Sequence, residues 1–264
     1  MEELMGSMVA EFGVSEGIVV AMGLVCGLIV IASIFALFVS IYLGISYMKY
    51  NRRQNSCGMT GEEIARNILD HHGLSHIKVS KTGSIMFGNS YSHYFKKVRL
   101  RRLTWKKTSV TSLAMAAQKS SLALLDQEGD PDMTKRVKLT PVIYFGPLAF
   151  VPMVIIGLLL DLYFFHSDGK FTLILSILGL LFYVLSFVMS ILVLNTEVKA
   201  QKRALELMKA DQLATDEELK MCQKLFKLYN IEYINDMIIA LLELIYRVLQ
   251  IISYAQSSSS SSSK

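Results

Sequence analysis

From Gly17 to Met48 the chain carries no charged side chain, and the same holds from Pro141 to Leu160 and from Phe171 to Thr196. A helix rises about 1.5 Å per residue, so roughly 20 apolar residues cross the hydrocarbon layer of a bilayer. Each run is long enough. A single run of this kind fits a buried core helix, but three in a chain of 264 residues point to a membrane. The expected fold is mainly α and membrane-embedded.

A fourth segment, 234–254, is apolar but carries Asp236, Glu243 and Arg247. Glu243 and Arg247 are four residues apart on one helix face, so they can pair. A spanning helix packed against the others is the favoured reading, and an amphipathic helix lying at the interface is the alternative. This makes about four membrane helices, at 18–48, 141–166, 171–196 and 234–254. The leader 1–17 holds Glu2, Glu3, Glu11 and Glu16 and no Lys or Arg. A cleaved signal needs a basic flank and a shorter apolar stretch, so the first run reads as a retained anchor.

Short loops rich in Lys and Arg stay in the cytoplasm. The basic segments are 49–140 and 197–233, while the short link between the second and third runs, His166 to Lys170, is nearly neutral. The expected placement is a multi-pass protein of the cytoplasmic membrane. Its N-terminus 1–17 lies outside, a basic domain 49–140 and a helical segment 197–233 lie inside, and the Ser-rich tail 255–264 is disordered.

The net charge of +5 is concentrated in one run: Lys96, Lys97, Arg99, Arg101, Arg102, Lys106 and Lys107. Nucleic-acid binding would call for interleaved aromatic platforms, and the run has little beyond Trp105. A membrane-surface patch accounts for it, each cation near an anionic leaflet gaining roughly 1 kcal/mol. The expected partners are the lipid bilayer and a membrane or cytoplasmic protein, with no nucleic acid. Cys26, Cys57 and Cys222 are scattered and odd in number, which suits free thiols rather than a disulfide framework or zinc knuckle.

Within the polar segments, Thr60-Gly-Glu-Glu63 is a capping box that starts a helix with Ile64, Ile68 and Leu69 on its apolar face, ended by Gly73. Two or three short strands are expected among His76–Ser80, Ser84–Phe87 and Lys97–Leu100, with turns at Lys81–Gly83 and Gly88-Asn89. An Ala- and Leu-rich helix follows from about Ser109 to Leu125. Another helix begins in the third apolar run and continues to Met208. The acids Asp126, Glu128, Asp130 and Asp132 lack the spacing of a calcium loop and read as a solvated loop. His72 and His76 are separated by the helix-ending Gly73, which argues against a shared metal.

These landmarks, in this order, resemble a known family. Met59 to Asp70 looks like the opening helix of the bacterial membrane neutral zinc metallopeptidases. His93-Tyr94 followed by Val98-Arg-Leu100 is similar to that family's strand region. Glu128-Gly129, Arg136, Leu139, Pro141, Phe145 and Gly146 resemble the approach to its second span, and Glu197 with Ala200 and Arg203-Ala-Leu205 resembles a later block. The resemblance implies a zincin-like helical domain with a small β-sheet, and it makes His93 and Tyr94 candidate binding residues.

The family carries His-Glu-x-Gly-His between the positions of Ala116-Ala117 and Ala123. Two His four apart on a helix bind zinc, and the Glu takes a proton from the metal-bound water. Here the five positions read Gln118-Lys119-Ser120-Ser121-Leu122. Glu197 matches the family's third ligand. Gln118 is a poor ligand and Leu122 is none. Lys119 puts a cation where a base is required, repelling Zn²⁺. Ser92-His93-Tyr94-Phe95 also departs from the family's Asp-His-Tyr-Asp, and Asn195-Thr196 replaces a Pro-containing block. The resemblance with these losses implies a catalytically inactive, zinc-free peptidase-like protein. It would act by binding a protein, for example an extended peptide added to the sheet, or as a membrane scaffold. An active membrane-bound peptidase with an unconventional site, and a purely structural membrane subunit, are the alternatives.

Overall fold

The computed structural model describes residues 15–82, 88–166 and 169–261. The elements, in order, are α1 (Glu16–Asn51), α2 (Gly61–His71), β1 (Lys78–Lys81), β2 (Ser90–Ser92), β3 (Lys97–Leu100), α3 (Arg102–Trp105), α4 (Val110–Gln127), α5 (Pro131–Leu159, continued by a π-helical turn Leu160–Phe165), α6 (Lys170–Ala210) and α7 (Asp216–Ser261). The chain is a mainly α membrane protein with a small mixed sheet. Among the described residues, three helices are long and apolar enough to cross a bilayer, α1, α6 and α7 as far as Gln256, with mean hydropathy of 2.9, 2.7 and 1.7. The second apolar run lies in α5, where Ala149–Phe165 is a shorter apolar helix among the described residues.

Two compact units share these helices. One comprises 37–138 and 192–234 and contains the sheet, α2, α3 and α4. Its formation follows local signals. The Thr60 side chain accepts from the Glu63 amide while Glu63 Oε2 accepts from the Thr60 amide at 2.7 Å, so two orphan donors of α2 are satisfied. Gly73 has φ +72, and the Leu74 amide reaches back to the Leu69 carbonyl at 2.8 Å, closing α2 with a left-handed residue. The sheet order is β1-β3-β2, with β1 parallel and β2 antiparallel to β3. The turn expected at Gly88-Asn89 leads into β2, a strand of three residues that composition did not mark. The expected strand Ser84–Phe87 and its turn residue Gly83 lie outside the described residues.

Helix α4 runs through the middle of this unit, and every side chain from Val110 to Leu124 is buried. Its Ala and Ser residues let neighbours approach closely, and Ile64, Ile68, Val98, Leu100, Met208 and Leu225 fill the core around it. Each large apolar side chain so buried contributes about 1.5–3 kcal/mol. Gly61 opens α2 against α3, where a Cβ would overlap the Thr104 carbonyl oxygen.

The other unit comprises residues 1–36, 139–191 and 235–264. Gly157 of α5 lies against the α6 backbone, where a Cβ would stand 2.6 Å from the Thr172 Cα. Small residues at such crossings let membrane helices pack by van der Waals contact. Asp161 caps α6 by accepting from the Phe171 and Thr172 amides at 3.1 and 2.8 Å. The Glu243–Arg247 pair that the spacing allows does not form. Glu243 accepts from the Tyr183 hydroxyl at 2.6 Å, while Arg247 donates to Gln250 Oε1 at 3.0 Å and lies 5.0 Å over the Phe150 ring. A neutral donor on α6 satisfies the carboxylate, and the long Arg side chain reaches past it. Helix α7 continues without a break through position 234 and on to Ser261, so the first Ser residues of the tail are helical. Extending an existing helix is far easier than starting one.

Candidate functional site around Glu197

Glu197 lies just past the charge-free run of α6, and its side chain is 3% exposed. A buried carboxylate needs partners, and three elements supply them. Helix α4 brings Gln118 and Lys119, whose Nε2 and Nζ both donate to Glu197 Oε2, at 2.9 and 2.8 Å. The first turns of α5 bring Arg136, whose Nη2 donates to Oε1 at 3.0 Å and whose Nη1 donates to the Thr196 hydroxyl at 2.6 Å. Two cations therefore enclose one anion. Leu122, one helical turn beyond Gln118, is buried with Met133 and Ala200.

A cavity of about 140 Å³ opens beside this network. Gln118 and Lys119 form part of its wall, with Arg101, Tyr229, Tyr233 and the Gly88-Asn89 pair that leads into β2. Asn89 Oδ1 accepts from the Arg101 amide at 2.7 Å, fixing the loop to the end of β3.

The other candidates are distributed over the unit. His93 gives Nδ1 to the Asp126 carboxylate at 2.7 Å, and the exposed Tyr94 gives its hydroxyl to the Val137 carbonyl at 3.1 Å. The cations of the basic run meet different partners. Lys96 pairs with Asp126 at 3.3 Å, Arg99 lies 5.3 Å over Phe95, Arg101 faces the cavity and Lys107 donates to the Asn51 carbonyl at 3.3 Å. Arg102 and Lys106 are exposed and Lys97 is half-buried.

The acids read as a solvated loop are instead engaged in ion pairs. The Asp126 side chain is 5% exposed and also accepts from the Tyr91 hydroxyl at 2.5 Å. Burial pushes its pKa up, but the Tyr91 and His93 hydrogen bonds and the His93 and Lys96 charges outweigh this and hold it below the usual carboxylate range. Asp130 caps the start of α5, and Asp130 and Asp132 both take Lys199, at 2.9 and 2.7 Å. Glu128 takes Arg203 at 3.2 Å.

Residues 25–252 match a family model described as "Putative neutral zinc metallopeptidase". The chain belongs to this family. It is similar to a Bacillus subtilis (strain 168) protein described as "Putative membrane protease YugP", with 24% identity over 208 residues, covering 77% of this chain and 86% of the relative. No solved structure matches.

The family name implies zinc, so the donor set around Glu197 bears on whether a zinc ion fits. Lys119 Nζ, a donor without a lone pair when charged, occupies Oε2 at 2.8 Å, and Arg136 occupies Oε1. Leu122 offers no donor atom. Among the described residues, no three His, Cys, Asp or Glu side chains come together as a metal site. These side chains do not make a zinc-binding set.

Sequence reasoning paired the stretch at Gln118 with Glu197 through the family resemblance alone. It did not give Arg136 a role at the site, although Arg136 was one of the family landmarks. It missed Tyr229 and Tyr233 altogether and marked Asn89 only as a turn residue, because nothing in their local pattern marks a cavity wall.

Proposed function

We propose that this chain is a non-catalytic, zinc-free member of the family, and that it works by binding another protein at the inner face of the cytoplasmic membrane. The Glu197 network carries this reading. In a zinc peptidase that carboxylate would face a metal and a nearby base would activate water. Here an ammonium and a guanidinium supply the positive charge, and no general base stands at Lys119.

The cavity beside Lys119 supports a binding role. Arg101 and Lys119 give its wall positive charge, Tyr229 and Tyr233 give it aromatic surface, and Gly88-Asn89 connects it to β2, an outer strand of the described sheet. An extended segment with an acidic or carbonyl-rich stretch suits such a wall, with main-chain hydrogen bonds to the strand supplying affinity. The Lys and Arg bias supports an N-terminus outside and both polar segments inside, and this reading takes four spans, α5 included.

Pull-down of the full chain from detergent-solubilised membranes tests the binding role. The expected partner is retained by the wild type and lost on Arg101→Glu, a change at an exposed side chain, while the variant still melts cooperatively. Retention by that variant contradicts a role for the cavity. Specific hydrolysis of an unfolded substrate by the wild type would favour the active-enzyme alternative.

A further inference from the structure

A second cavity, of about 270 Å³, lies among α5, α6 and α7 in the apolar unit. Phe150, Val154, Ile155 and Ile251 make it apolar, and Arg247 and Gln250 add a polar corner. Arg247 is half-buried. Its guanidinium has five N–H donors, and its Nη1 donates to Gln250 at 3.0 Å. Among the described residues no carboxylate lies within 4.0 Å of it. Glu243, one turn earlier, is bound by Tyr183, and Asp161 caps α6.

A cation in an apolar membrane unit costs about 2.5–3.5 kcal/mol at the centre of a span and normally faces a counter-charge or water. The ligand that completes this corner is anionic and brings an apolar tail. A bilayer holds such molecules in abundance, and the planar guanidinium matches a phosphate with two parallel hydrogen bonds. We propose that this cavity binds an anionic phospholipid, its phosphate on Arg247 and an acyl chain along Val154 and Ile155. Arg247 acts there as a headgroup anchor, and Phe150 holds the guanidinium plane in place. The site is independent of the Glu197 network.

Native mass spectrometry of the full chain, delipidated in a neutral detergent, tests the proposal. The probes are phosphatidylglycerol, phosphatidylcholine, dodecanoate and inorganic phosphate. One phosphatidylglycerol per chain is expected, bound at least about tenfold more tightly than phosphatidylcholine. Arg247→Gln should remove that preference. Val154→Phe fills the cavity and leaves Arg247 in place, and it should weaken phosphatidylglycerol binding by a similar factor. Equal binding of the two phospholipids overturns the proposal, as does a preference that survives either substitution. Binding of dodecanoate or inorganic phosphate as tightly as phosphatidylglycerol, with the same Arg247 dependence, overturns the phospholipid assignment.

Discussion

Lys119 and Glu197 are worth more together than apart. Breaking a buried ion pair by removing one partner leaves an uncompensated charge, at a cost of about 3–5 kcal/mol. Lys119→Met removes one of two cations and should lower Tm strongly, as should Glu197→Gln, which leaves Lys119 and Arg136 without their anion. The double variant should be less destabilised than the sum of the single ones, because it removes opposite charges together. Strict additivity in thermal melts would show that the 2.8 Å contact contributes no coupling. Asp126 makes a pH prediction. Its folded pKa is depressed, so its contribution to stability is complete above the unfolded value of about 3.9 and is lost as pH falls through the lower folded value. The Tm difference between wild type and Asp126→Asn should be large at neutral pH and shrink in acid below about pH 4. A difference independent of pH would mean the carboxylate's charge does not matter.

At the level of elements, what could be read beforehand follows the range of the signal. The α2 cap and its Gly73 end were legible because each is built from residues within one turn of each other. The span helices were legible because their apolar runs are long. Strand β2 was not, since Ser90-Tyr91-Ser92 is too short to show alternation. The burial of Asp126 was not legible either, because Tyr91 and His93 reach it from a distant stretch of chain. The Glu243–Arg247 pair shows the opposite failure: correct helix spacing, overridden by a Tyr183 hydroxyl on a neighbouring helix. Gly61 provides a test of element packing. Gly61→Ala would put a methyl group onto the Thr104 carbonyl, so helix and loop must part, costing about 1–3 kcal/mol. Gly44→Ala, inside α1 where a Cβ meets nothing, is the control and should not destabilise. A Gly61→Ala protein as stable as the wild type would contradict the close approach of α2 to α3.

For the whole molecule, the family accounts for the scaffold, and the proposed function rests on the residues around Glu197. The orientation proposed from the charge bias is open to a direct test. Native Cys222 is buried and makes a poor reporter, so single cysteines at the exposed Lys106 and Lys170 are better ones. An impermeant thiol reagent on intact cells should label Lys170→Cys and spare Lys106→Cys, and the reverse pattern would invert the placement. The family's chemistry rests on a metal, and the central claim is that this chain has none at Glu197. The most direct measurement is the zinc content of the full chain, purified without chelator from zinc-supplemented cells, beside a Gln118→His, Lys119→Glu, Leu122→His variant. The account predicts far less than one zinc per wild-type chain and a rise in the variant, where two imidazoles on one helix face join Glu197. One zinc per wild-type chain, lost on Glu197→Gln, would contradict it.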